Sequence, residues 1–395
     1  MKSIGSPLRA EFLEKKMKFI RQEMEQDGID MWITFTREGN EDPLADDLRF
    51  SDLTWRSAAI IGRDGSRTAI VGSLEAELVE GRKFYHEVLG YGSEGVAPKL
   101  REYVSKKNPK KVAVNISYDL GAADGLSTGM ESYLRAALKN YARRIVSAED
   151  LAITLRARLI PEEVELLSRS ISECESIYDR LESSIRPGKT DTDVHEFAQR
   201  LMKERGVTPA WAADHCPSVA VGKGSGHLGY RGRKIKDGDF VRLDFGVNRE
   251  GYCSDIQRNY FVGHGAVPQE VTRMFQTALD ANDAALSVLK PGVAGYKVDE
   301  IARNLIVDRG FPEYKHALGH VLGRSTHEIG PLLGPRWKDR YGRQGEKAVQ
   351  KDMVFTIEPT VDGKYGSCNL EQDVLVTEKG YREMSVRQND LIRVG

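Results

Sequence analysis

Four acidic residues stand where the sequence is otherwise apolar and strand-like. Asp244 lies in Arg-Leu-Asp-Phe-Gly, and Asp255 closes Gly-Tyr-Cys-Ser-Asp eleven residues later. Glu358 follows Met-Val-Phe-Thr-Ile and precedes Pro359, and Glu371 leads into Gln-Asp-Val-Leu-Val-Thr. An ionised carboxylate in such surroundings is costly unless it is paired or binds a metal. One buried acid usually finds a Lys or Arg; four in one region with few bases nearby call for a stronger cation. The histidines point the same way. Six of the eight fall between positions 215 and 327. His316, His320 and His327 come within twelve residues, and His227 stands in Gly-Ser-Gly-His-Leu-Gly-Tyr. A donor set of oxygens with one imidazole suits two adjacent divalent ions such as Mn, Co, Zn or Fe. Such a pair holds a hydroxide that is nucleophilic near neutral pH and polarises the carbonyl it attacks. The spacing alone does not fix which residues bind.

These groups need elements to hold them. Short β-rich runs are predicted at 240–245, 260–262, 353–357 and 373–377. Before them, Val164, Leu167, Ile171, Cys174, Tyr178, Leu181 and Ile185 step by three and four, predicting a long helix with one buried stripe. Pro161 opens it and Pro187-Gly188 stops it. An internal repeat follows. Residues 185–207 (IRPGKTDTDVHEFAQRLMKERGV) match 289–311 (LKPGVAGYKVDEIARNLIVDRGF) without a gap at an offset of 104. Each copy is a helix end, a Pro-Gly turn and an amphipathic helix closed by glycine. Two copies are too few for a solenoid and suit a globular α+β domain with a site between its halves.

The first 150 or so residues alternate helix and strand, which argues an α/β unit. The polar stretch 34–47 (TFTREGNEDPLADD) reads as a solvated loop, with a substrate-contacting loop as the alternative. The 395-residue length suggests two or three domains, and 40% hydrophobic residues suffice for real cores. With 58 basic and 59 acidic residues, nothing calls for nucleic acid or an anionic membrane as partner. No run approaches a signal peptide or a membrane span, and Cys174, Cys216, Cys253 and Cys368 form no CxxC pair. The expectation is a cytoplasmic protein with reduced thiols.

With the motifs Asp244-Phe-Gly, Tyr252-Cys-Ser-Asp255, His316-xx-Gly-His320, His327-Glu328, Phe355-Thr-Ile-Glu358-Pro359 and Glu371-xx-Val-Leu-Val-Thr, the chain resembles the methionine aminopeptidase, prolidase and creatinase superfamily. The resemblance implies a pita-bread catalytic domain over 157–395 and a prolidase- or creatinase-type α/β domain over 1–156. It implies two divalent ions, manganese first with cobalt, zinc or iron as alternatives. Asp255 and Glu371 would bridge them, Asp244 would complete one, and His320 and Glu358 the other. Glu358 would be the general base. His227 would contact substrate, His327 would steady the tetrahedral intermediate or the leaving nitrogen, and His316 would line the pocket. The implied reaction is hydrolysis of an Xaa-Pro bond, by an aminopeptidase or a dipeptidase, in a homodimer.

Some positions depart from the family pattern. Val321 follows His320 where glycine is common and is expected to narrow or reshape the wall beside the metal. Gln257 replaces a common threonine, and Asn369 a common arginine. Arg336, Arg340 and Arg343, in the charged segment 331–351, are expected to be solvated, although a substrate carboxylate is within their chemistry. Two other readings compete: a hydrolase or lyase of a small non-peptide substrate, and a binding module that has lost catalysis. Five intact ligands weigh against a metal-free mechanism and against the module, and leave a metal-using hydrolase or lyase of a non-peptide substrate open.

Overall fold

Met-Trp-Ile-Thr-Phe-Thr is rich in β-branched and aromatic side chains, and all six residues of the strand Met31–Thr36 are buried. In the computed structural model, which describes residues 7–223 and 232–395, this strand is central to a six-stranded mixed sheet. Ser57–Gly62 pairs with it antiparallel and Val112–Val114 parallel. Arg67–Gly72, Glu87–Tyr91 and Ile145–Ser147 complete the sheet. One face packs Ile33, Phe35, Ile60 and Ile70 against Leu100, Val104, Leu134 and Leu138 of the helices Val96–Lys107 and Thr128–Leu138. These elements belong to one of two compact units, Met1–Arg156; the other is Ala157–Gly395.

The stretch 34–47 is not the solvated loop its polarity suggests. Asp42 and Asp47 are 3% and 2% exposed. Leu44, Ala45 and Leu48 alternate with these acids and are buried, so the apolar residues carry the acids into the unit. Asp42 accepts from the Leu44 N–H at 2.9 Å and from Asn115 Nδ2 at 2.8 Å. Asn115 in turn accepts from Trp32 Nε1 at 2.8 Å. Asp47 accepts from the Leu8 N–H at 3.0 Å and pairs with Arg156 at 3.1 Å. Each buried charge has partners, which is what makes the burial tolerable.

The second unit opens on the helix Pro161–Leu181. Its buried face is wider than the predicted stripe and includes Leu166, Ser170 and Ile177. Polar atoms on that face grip strand backbones. Ser170 Oγ donates to Val247 O at 2.8 Å, Cys174 Sγ to Phe245 O at 3.3 Å, and Tyr178 Oη to Ile256 O at 2.7 Å.

The repeated sequence adopts one conformation twice. Gly188 and Gly292 have φ of 88° and 87°, and the helices Asp191–Arg205 and Gly295–Asp308 are followed by Gly206 and Gly310 at 68° and 82°. The correspondence runs past the helices. Gly188 N–H donates to Ile235 O, and Gly292 N–H to Val349 O. A positive-φ residue follows each, Gly238 and Asp352. Next comes a central strand, Phe240–Phe245 in one half and Val354–Ile357 in the other. Each is flanked antiparallel on both sides: by Ser218–Val221 and Ile256–Val262 in one sheet, and by Val321–Leu322 and Gln372–Val376 in the other.

Candidate metal centre

The two halves deliver carboxylates from equivalent places. Asp244 lies near the end of one central strand, opposite Gln257; Glu358 immediately follows the other. Asp255 immediately precedes the partner strand Ile256–Val262, and Glu371 immediately precedes Gln372–Val376. His320 immediately precedes Val321–Leu322. It is tied to the second central strand by its N–H to Thr356 Oγ1 at 3.1 Å and by Thr356 N–H to its carbonyl at 3.0 Å.

Single donor atoms of Asp255, His320 and Glu371 all lie within 4.8 Å of one another. His320 Nε2 is 3.6 Å from Asp255 Oδ2 and 3.4 Å from Glu358 Oε1. Both oxygens of Glu371 are buried without a hydrogen-bond partner. Burial first, and the neighbouring carboxylates next, push the carboxyls of Asp255 and Glu371 well above the usual range. Burial and Asp244 push Glu358 up to about 8. Burial, then His327, holds His320 down at about 3, so its imidazole is neutral and able to ligate. Crowded carboxylates that cling to protons, orphaned oxygens and a neutral imidazole are the donor set a divalent cation satisfies by displacing protons. The residues therefore fit the metal.

Around this cluster, Glu358 accepts from Gln257 Nε2 at 3.0 Å and from Thr356 Oγ1 at 3.4 Å. Arg258 clamps the strands from behind. Its Nη1 donates to Gln257 O at 3.0 Å and Glu371 O at 2.9 Å, and its Nη2 to Val386 O. Half-buried His316 joins Thr360 Oγ1 through Nε2 at 2.7 Å and the Ala317 carbonyl through Nδ1 at 2.6 Å. His327 is exposed, with its ring centroid 4.3 Å from that of His320. His227 falls outside the described residues.

Val321 does not narrow the site. Strand alternation turns its side chain away from His320, and its Cγ2 packs against Gly330, where a Cβ would collide with it. Arg336 lies over the Tyr296 ring and Arg340 donates to Lys315 O; both are exposed. The sequence reading missed Thr356, Arg258 and Arg242. Thr356 and Arg242 each stand two residues before a predicted ligand, so the period of a strand was the available signal.

The model for metallopeptidase family M24 matches residues 165–378. A Staphylococcus aureus (strain USA300) protein described as an uncharacterized peptidase is 26% identical over 337 residues, spanning 83% of this chain and 87% of its own. Among solved structures, an Xaa-Pro dipeptidase from Bacillus anthracis aligns with a TM-score of 0.69 and 23% identity, over 97% of this chain and all of that one. An X-Pro aminopeptidase from Thermotoga maritima MSB8 aligns with a TM-score of 0.66 and 23% identity, over 94% of this chain and all of that one. At this identity the structural likeness speaks for the fold: an α/β domain followed by a pita-bread domain.

Proposed function

Because this chain belongs to metallopeptidase family M24, we propose that Asp244, Asp255, His320, Glu358 and Glu371 hold two divalent cations, manganese first, and that the enzyme hydrolyses Xaa-Pro bonds. The observation that carries this reading is Glu371, buried with neither oxygen hydrogen-bonded, beside Asp255 and His320. Asp255 and Glu371 would be the shared ligands, Asp244 would complete one position, and His320 with Glu358 would complete the other. When bound, the cations polarise the scissile carbonyl and lower the pKa of the attacking water. The chain's own residues handle the proton. Glu358, steadied by Gln257 and Thr356, accepts it from the water as general base. A proline nitrogen leaves without an N–H of its own and must gain one, and Glu358 hands the proton on to it. In this reading His227 would contact substrate, His327 would steady the tetrahedral intermediate or the leaving nitrogen, and His316 would line the pocket.

Residues 1–156 are, in this reading, the α/β domain of the prolidase branch. No helix among the described residues is long and apolar enough to cross a membrane. The four free cysteines suit a reducing compartment, which supports the cytoplasm. The homodimer implied by the resemblance belongs to the same proposal, and light scattering decides it.

The decisive experiment combines metal analysis with a panel of Xaa-Pro and non-proline peptides. We expect two divalent ions per chain and cleavage of Xaa-Pro peptides. Asp255→Asn should lose both metal and turnover, by about a thousandfold or more. A gently purified protein with no bound divalent ion and no activation by added Mn or Co would sink the proposal.

A further inference from the structure

We propose that Arg242 is a specificity-determining residue whose unused guanidinium donors receive the free C-terminal carboxylate of the substrate, making this site that of a dipeptidase. The proposal rests on the peptidase reading above and deepens it.

Arg242 lies two residues before Asp244 on the strand Phe240–Phe245, so both side chains leave the same face. It is 6% exposed. A guanidinium has five N–H donors and stays charged in proteins. This one makes a single hydrogen bond, from Nη1 to Asn369 Oδ1 at 2.8 Å. Its Nε–H is buried without a partner. Asp244, Glu358 and Asp362 feel its charge through space, but it forms no ion pair with any described residue. Buried arginines ordinarily gain a carboxylate because an unpaired charge away from water is costly. The missing partner is the observation to explain.

Asn369 explains why the charge is held yet left unspent. Asn369 Nδ2 donates to Thr360 Oγ1 at 2.5 Å, and Thr360 Oγ1 meets His316 Nε2 at 2.7 Å. His316 Nδ1 faces the Ala317 carbonyl at 2.6 Å, which can only accept. Nδ1 therefore carries the proton, and in the neutral ring Nε2 accepts from Thr360. Every bond in the chain points one way, from Arg242 through Asn369 and Thr360 to His316. The row anchors the guanidinium through a neutral acceptor and leaves its other donors available.

The placement suits a dipeptide. Arg242 and Asp244 share a strand face, their backbones roughly 7 Å apart. In a dipeptide the carboxylate lies one residue beyond the scissile carbonyl, about 3.6 Å on. One further hydrogen bond of about 2.9 Å reaches a guanidinium nitrogen. A planar carboxylate matches the guanidinium fork. A longer peptide would put a neutral amide there and leave the charge unpaired.

The test uses metal-loaded full-length protein with Ala-Pro, Ala-Pro amide and Ala-Pro-Ala. We expect kcat/KM for the free acid to exceed both others by about tenfold or more, chiefly through KM. In Arg242→Met the acid-to-amide ratio should fall close to one, with Arg242→Lys in between. Because the ratio is read within each variant, a general loss of folded enzyme cancels. Calorimetry with an uncleavable Ala-Pro isostere, as acid and as amide, should return the same ratio in affinity. A wild-type ratio near one, or a ratio that survives in Arg242→Met, overturns the proposal. Failure of the peptidase reading looks different: no peptide form is cleaved, while the calorimetric ratio still decides the role of Arg242.

Discussion

Buried carboxylates in this protein are stabilised in two different ways. The Glu371 carboxylate has no hydrogen bond on either oxygen, and its demand is met by a cation in the function proposed above. Asp42, in the other unit, has its own donors, the Leu44 N–H and Asn115 Nδ2, yet burial still pushes its carboxyl from 3.8 up to about 6. The folded state thus keeps this proton to higher pH than the unfolded chain does. Its contribution to stability is fully present below about pH 4 and is lost as pH rises through about 6, a change on the order of 3 kcal/mol. The variant Asp42→Asn has no titrating group at this position, so the difference between wild-type and variant stability should vary across that window. Urea midpoints at pH 4, 5, 6 and 7 read it directly, and parallel curves for the two proteins would rule the linkage out. Arg242 and Arg258 form the opposite case of buried cations, one held by a side-chain amide and the other by three backbone carbonyls.

At the scale of elements, the site depends on how closely two backbones approach. A Cβ on Gly319 would fall inside the carbonyl oxygen of Thr356, the residue that holds His320 in place. Gly319→Ala should therefore cost about 1–3 kcal/mol of stability and also lower the metal content, although no ligand is removed. Gly292→Ala is the control. Its left-handed φ makes it cost a similar amount, about 1–2 kcal/mol, but its turn touches Val349 rather than the cluster, so metal stoichiometry should hold. Thermal melts paired with metal analysis separate the two, and equal metal loss in both would defeat the argument. The elements that betray themselves in the sequence are the ones that break a pattern. Acids in β-rich runs mark four of the five cluster residues, and the Pro-Gly turns mark the duplication. Arg242 and Arg258 escape because an arginine in a strand reads as a surface residue until its neighbours are known. The stretch 34–47 misleads for a related reason: its acids outweigh Leu44, Ala45 and Leu48 in composition but not in packing. The hairpin of Thr360–Gly363 and Gly366–Asn369 is too short and glycine-rich to give a period.

For the molecule as a whole, stability comes from cores without covalent crosslinks. All four cysteines are free and buried, and burial raises each thiol above its ordinary pKa. A thiol reagent should label almost none of them in the native protein and all four in denaturant, and reductant should leave the melting temperature unchanged. Rapid native labelling would contradict this burial. The duplicated plan of residues 157–395 has one further consequence. Asp244 answers to Glu358 and Asp255 to Glu371, but His320 has no such answer. It stands opposite Thr356, and the matching register place in the other half, opposite Arg242, holds Ala220. A symmetric scaffold thus carries an asymmetric set of donors, so the two cation positions proposed above would not be equivalent. Titrating the apoprotein with Mn should show two affinities rather than one, and His320→Ala should shift one of them far more than the other. A single class of two identical sites would mean that the lone imidazole makes no difference to how the centre fills.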